Sequence, residues 1–297
     1  MVSLPRATVR RYERFSLYNS PYPAHDRGRA IDLYPGAGSG TRATAASPVA
    51  GDVLETRTVR CPPKPYAVDH DHLIVIDAGE HLARILHVEP TVAAGDSVAV
   101  GDPLGELVRS GFFGRWVDDH LHLGFRDSDA DPYRATGSLP VEPAVEVTPL
   151  AWDGTGTVVE TGPEHALLDA PRRPGGRADA GGFVALASDG GVPLDGGLVH
   201  YAGGGVLADG AGDLSLLGQP IGRADGRDVT WDPVDVLVDR AGEGGGAGDR
   251  TRATGLSLFA SRVPFGAKLV FHEGHDLAVG DRVTVTLRPS DDPIRLG

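Results

Sequence analysis

Apolar residues in this chain come in short runs that alternate with polar ones, and Gly, Pro and Asp cut the runs every few residues. Alternation with a period of two marks a half-buried strand, and turn residues at both ends mark its limits. In the first half this predicts strands over Ala30–Tyr34, Gly51–Val59, Leu73–Asp77, Leu82–His87, Ser97–Val100 and Leu121–Arg126. Residues 1–20 read as a strand or an irregular lead-in. No stretch of this half carries the 3.6-residue periodicity of a long amphipathic helix. In the second half strands are predicted over Thr157–Glu160, Phe183–Ala187, Gly197–Tyr201, Val234–Val238, Lys268–Phe271 and Arg282–Leu287, and the Gly-rich stretch Ala241–Arg250 reads as a mobile loop. The expected fold class is all-β.

The Asp- and Pro-rich stretch 127–150 suggests a boundary near 145, dividing the chain into a domain over 1–145 and a second β-rich domain over 146–297. Gly-Asp pairs recur at Gly51-Asp52, Gly95-Asp96 and Gly101-Asp102. At such a turn Gly supplies a positive φ and the Asp side chain closes the loop. The pattern is shared with small biotinyl and lipoyl carriers, but no lysine occupies either tip, so a carrier role is disfavoured.

Composition narrows the function classes. With 42 Gly and 23 Pro among 297 residues, many short strands are favoured over helices. There are 41 acidic and 28 basic residues, for a net charge of −13, and only Lys64 and Lys268 are lysines. This argues against affinity for nucleic acid and suits a protein working in concentrated salt. The single cysteine, Cys61, allows neither an intramolecular disulfide nor a thiolate metal cluster. There is no signal-peptide-like N-terminus and no apolar run near the ~20 residues of a membrane span, so a soluble, cytoplasmic protein without membrane contact is the default expectation.

The candidate chemistry lies in the histidines. In His120-Leu121-His122 the two imidazoles share one face of a strand, with Leu121 and Leu123 on the other. Far upstream, His25 and Asp32 offer a third imidazole and a carboxylate. Two nitrogens and one oxygen make a zinc set that leaves a fourth tetrahedral position for water, the arrangement of a catalytic centre. His70-Asp71-His72 has the same spacing, but it follows a Pro-rich approach and reads as a solvated turn. His81, His272 and His275 read as surface residues, and His165 and His200 have no evident partners. Trp116 reads as a core aromatic or as the wall of a cleft.

In order along the chain stand His25, Asp32, the Ser47–Val53 stretch Ser-Pro-Val-Ala-Gly-Asp-Val, the Asp-Ala-Gly that ends at Gly79, His87 eight residues before Gly95-Asp96, Val98–Gly105, Ser110-Gly111 and His120-Leu121-His122. This ordered set resembles the lysostaphin-type zinc metallopeptidases over residues ~20–126. The resemblance implies a duplicated hybrid-motif β-sandwich. It implies zinc bound by His25, Asp32 and His122, and hydrolysis of a peptide or amide bond by zinc-bound hydroxide. His87 and His120 would serve as the catalytic pair, one as general base and the other stabilising the oxyanion. The sequence departs from the family in three places. Six residues separate His25 from Asp32 where the family has three, Ile85 stands where a Tyr is usual, and Leu-Gly-Phe follows His122. These departures, with no export signal in view, keep a non-catalytic binding or scaffolding role of the same fold as the alternative. A histidine phosphocarrier is disfavoured because Asp32 is an oxygen ligand. The substrate, the role of the second half and the oligomeric state have no signature in the sequence.

Overall fold

The computed structural model describes residues 1–36, 43–134, 136–173, 182–241 and 250–296. The fold is all-β, built from several sheets. The chain divides into two compact units, Met1–Leu17 with Tyr22–Val145 and Tyr18–Pro21 with Glu146–Gly297.

The first unit contains β1 (Val2–Leu4), β2 (Arg14–Ser16), β3 (Ala30–Tyr34), β4 (Thr44–Ala46), β5 (Gly51–Arg60), β6 (His70–Asp77), β7 (His81–Leu86), β8 (Val88–Pro90), β9 (Ser97–Val98), β10 (Pro103–Leu107), β11 (Leu121–Asp127) and β12 (Val141–Pro143). Within this unit the main sheet runs in the order β2-β3-β11-β7-β6-β5-β9, with antiparallel neighbours throughout. A smaller sheet has the order β4-β10-β8, and β1 pairs in parallel with β12. Residues 1–20 are therefore more ordered than a lead-in: they hold β1, a single helical turn at Arg6–Val9 and β2.

The register sorts the side chains of the main sheet. Leu123 lies opposite Ile31 and Ile85, and Ile85 lies opposite Ile74. Cross-strand partners share a face, and these four residues are 0% exposed, so this face looks into the apolar core. The other face carries the alternate residues: Asp32, His122, Leu86 and Leu73 in one row, and Ala30, Gly124, Arg84 and Val75 in the next. The chemistry of the unit sits on this second face.

At Gly95-Asp96 and Gly101-Asp102 the turns close as the sequence predicts. The Gly residues have φ of 96° and 98°, and the Asp side chains accept hydrogen bonds at 2.8 Å from the amides of Ala93 and Ala99. The same turn recurs at Ala278–Asp281 in the second unit. Gly51-Asp52 differs, because Asp52 accepts from Ser97 Oγ at 2.5 Å instead. There the Gly is needed for close approach: a Cβ on Gly51 would stand 2.0 Å from the Asp77 carbonyl.

The second unit is also β-structured. A twelve-stranded sheet encloses a core that includes Val158, Leu198, Val206, Ile221, Val236 and Leu269. Its strands run slightly past the expected limits, as at Thr155–Gly162, Val234–Arg240 and Arg282–Pro289, while Leu194–Leu198 begins and ends earlier than expected. Most of the Gly-rich stretch Ala241–Arg250 lies outside the described residues. One histidine here departs from expectation: His275 is half-buried, with Nε2 near the carbonyls of Gly162 and His165. His200 is fully buried. No helix among the described residues is long and apolar enough to cross a membrane.

Candidate metal centre

Three segments bring the proposed ligands together. Asp32 sits in the middle of β3, directly opposite His122 on β11, so both side chains rise from one face. His25 arrives from the 3₁₀ turn Pro23–Gly28. The longer spacing between His25 and Asp32 is absorbed in that turn: Arg27 and Gly28 take left-handed φ values of 57° and 61°, folding the extra residues outward so that His25 returns over the strand. His120 lies just before β11, on the same side as His122.

The donor atoms converge. His122 Nδ1 is 3.0 Å from Asp32 Oδ1 and 3.0 Å from His25 Nε2, and His25 Nε2 is 3.3 Å from Asp32 Oδ1. Tetrahedral ligands at ~2.0–2.2 Å from zinc stand about 3.3–3.6 Å apart, a few tenths of an ångström wider than this triangle. All three side chains are buried, at 4%, 2% and 6% exposure. His25 Nδ1 lies 2.8 Å from the Leu17 carbonyl. A carbonyl only accepts, so Nδ1 carries the proton and the Nε2 lone pair points into the triangle. The His25-Asp32-His122 group could hold a metal ion.

Two more imidazoles border the triangle. His120 donates Nδ1–H to the Asp118 carbonyl at 2.9 Å, leaving the Nε2 lone pair 3.5 Å from Asp32 Oδ1. The Asp118 carboxylate pairs with Arg14 and that of Asp119 with Arg109, so the backbone of Asp118, not its charge, fixes the tautomer of His120. His87 stands at the crossover from β7 in the main sheet to β8 in the smaller one, with φ of 68°. Its ring centre is 5.0 Å from that of His120 and 5.9 Å from that of His122. Phe113 packs on both His87 and His120, and Phe112 and Tyr22 extend an aromatic wall, with Tyr22 40% exposed. Trp116 is buried, as a core aromatic would be.

The expectation that His70-Asp71-His72 forms a solvated turn does not hold. These residues open β6, and Asp71 is fully buried, while His70 is exposed. The Asp71 carboxylate takes a hydrogen bond from His87 Nδ1 at 2.5 Å, from the His87 amide at 3.0 Å, from Ser110 Oγ at 2.6 Å and from the His72 amide at 2.6 Å. The left-handed turn at His87 takes its amide out of the ladder, and Asp71 accepts it. Asp71 is the residue beside the centre that the sequence conceals. Its only signal is a carboxylate two residues before an apolar strand, which reads equally well as a turn.

Charge and burial set the protonation states. Burial raises the Asp32 carboxyl, but His25, His120 and His122 outweigh that and hold it well below the usual carboxylate range. Burial pushes His120 and His122 down to about 4, against the pull of Asp32, so both rings are neutral near pH 7. Asp71 feels the same competition between burial and its partners His87 and Ser110, and lies at about 2. For each of these groups the unfolded chain binds protons more readily than the folded one, so stability is lost as pH falls. In the chelator-treated chain, loss through the two histidines is expected between about pH 6.5 and 4, followed below about pH 4 by loss through Asp71 and Asp32. Urea unfolding at fixed pH checks this. Asp71→Asn should shrink the acid step, leaving the part due to Asp32, and leave the step above pH 4.

A comparison with curated proteins gives no match. Two family models match: the N-terminal domain of a domain of unknown function, DUF8155, over residues 3–143, and the C-terminal domain of DUF8155 over residues 148–288. Matched in order from residue 3 to residue 288, the chain belongs to the DUF8155 family.

Proposed function

We propose that the first unit is a zinc-dependent hydrolase of peptide or amide bonds, built like the lysostaphin-type metallopeptidases. The observation that carries this reading is the convergence of His25 Nε2, Asp32 Oδ1 and His122 Nδ1 within 3.0–3.3 Å of one another, with two further imidazoles beside them. Two neutral nitrogens and one carboxylate oxygen suit zinc, and three protein ligands are the number found in hydrolytic zinc centres. Bound there, zinc would supply Lewis acidity, polarising a carbonyl and lowering the pKa of a coordinated water to about 7.

The chain's own groups then divide the remaining work. His120 is neutral, and its Nε2 lone pair faces the centre, so it accepts the proton of the attacking water and passes it to the leaving amine. His87 stands beside the centre, next to His120 and His122. Asp71 accepts from His87 Nδ1, holds the ring and stabilises it as an imidazolium, the form in which Nε2 also carries a proton and donates to the oxyanion. Asp71 is a positioning residue in this scheme. The aromatic wall of Phe112, Phe113 and Tyr22 excludes water from one side.

The test is hydrolysis of a broad panel of peptides and amides by the zinc-loaded full chain, with and without chelator. Chelator-sensitive cleavage is expected, and His120→Ala should retain zinc while losing about 10²–10⁴-fold in rate. Stoichiometric zinc with no cleavage across the panel would overturn the hydrolase reading and favour a non-catalytic binding module.

A further inference from the structure

Beyond the metal centre, the same face of the main sheet carries two buried cations. Arg84 on β7 lies opposite Gly124 on β11, and Arg126 follows two residues along β11. Residues at i and i+2 share a face, and so do cross-strand partners. Arg84, Arg126 and the ligand His122 therefore rise from one face, with Arg84 one row beyond His122, about 7 Å along the strands. Gly124 has no side chain to fill this row, and Ser138 Oγ lies over it, 3.4 Å from where a Cβ would stand.

These cations lack a matching anion. Arg126 directs two donors at the carbonyls of Arg134 and Thr136, which organises the neighbouring loop. Its Nε is buried with no acceptor. Arg84 is 7% exposed, its Nε is also buried with no acceptor, and its side chain makes no hydrogen bond among the described residues. Ser138 Oγ is buried and unpartnered as well. Among the described residues, Asp131 is the one carboxylate whose charge reaches both arginines. It is itself half-exposed, accepts from the Tyr133 amide and pairs with Arg134. Burying the Nε of a guanidinium with no acceptor beside a second positive charge is costly. Burial and Arg126 accordingly bring Arg84 down to about 10. A bound anion would relieve both penalties.

We infer that Arg84, Arg126 and Ser138 form a receptor for a carboxylate of the substrate, one strand row from the metal centre. The planar fork of a guanidinium matches a carboxylate in two parallel hydrogen bonds. An extended peptide advances about 3.3 Å per residue. A bond cleaved at the metal would thus lie about two residues from an acidic side chain or a free C-terminal carboxylate. The substrate assignment rests on the hydrolase reading above; the anion site itself does not.

The experiment titrates the full chain with succinate at constant ionic strength, read by calorimetry and by melting temperature, with phosphate in parallel. Wild type should bind succinate saturably and melt higher with it. Arg84→Met should melt higher than wild type without succinate, because an unpaired buried charge is gone, and should bind succinate at least ten-fold more weakly. Arg84→Lys, which keeps the charge but not the fork, should also bind at least ten-fold more weakly and provides the test if the Met variant does not fold. Asp32→Ala should bind succinate like wild type, so a failed peptidase assay and a failed receptor are told apart. If wild type cleaves peptides, amidating a free C-terminus or exchanging Glu for Gln should raise KM at least ten-fold in wild type and not in Arg84→Lys. Which of the two changes acts identifies the source of the carboxylate. Absence of saturable succinate binding, an equal response in the Arg84 variants, or Arg84-dependent binding of phosphate alone would overturn the inference.

Discussion

Replacing Asp32 with alanine is expected to weaken zinc binding by more than about 100-fold. Loss of a hydrogen bond that merely supports a ligand already costs 10–100-fold, and Asp32 is the one carboxylate among three buried donors. It also holds the other two in place, since its Oδ1 lies 3.0 Å from His122 Nδ1 and 3.3 Å from His25 Nε2. The same loss appears as stability. A ligand at a hundred times its Kd stabilises the folded state by about 2.7 kcal/mol, which is roughly 5–10 °C in melting temperature for a unit the size of the first one. Wild type should show that shift on zinc loading and Asp32→Ala should show almost none. Competition with a chromogenic chelator gives the affinity, and calorimetry gives the shift. Equal zinc affinity in the two proteins would remove Asp32 from the ligand set.

The largest effect on stability is expected at Asp71. Four donors end on its carboxylate: the His87 ring, the His87 amide, the His72 amide and the Ser110 hydroxyl. Asp71→Ala leaves the His87 ring, the His87 amide and the Ser110 hydroxyl buried with no acceptor, and each stranded donor costs about 1–3 kcal/mol. Asp71→Asn keeps the volume and one acceptor oxygen and should cost less. Urea unfolding gives the total, and hydrogen exchange over Leu73–Asp77 and His81–Leu86 places it in the first unit. Zinc content should be unchanged in Asp71→Asn, because Asp71 supports His87 and not a ligand. A loss below about 1 kcal/mol in Asp71→Ala would mean that the network is weaker than its geometry.

The sequence announces some of this architecture and hides the rest, for identifiable reasons. The strands Ala30–Tyr34 and Leu121–Asp127 carry clean alternation, with core leucines and isoleucines on one face, so their existence and the shared face of Asp32 and His122 follow from period alone. His25 is harder to place, because its return depends on left-handed backbone at Arg27 and Gly28. Asp71 gives no local sign of burial. Its partner His87 is 16 residues away, at a crossover that only the folded sheets create. Arg84 is hidden for a different reason. An arginine between Ala83 and Ile85 reads as the solvent-facing position of an alternating strand, yet the residue is only 7% exposed. The lead-in before residue 20 contains strands of only three residues, too short for periodicity to register.

Diffraction from zinc-loaded crystals, collected on both sides of the zinc absorption edge, gives the most direct reading of the metal centre. The account predicts a single strong anomalous peak in the first unit, ~2.0–2.2 Å from His25 Nε2, Asp32 Oδ1 and His122 Nδ1. A peak elsewhere in the chain, or none at saturating zinc, would contradict it.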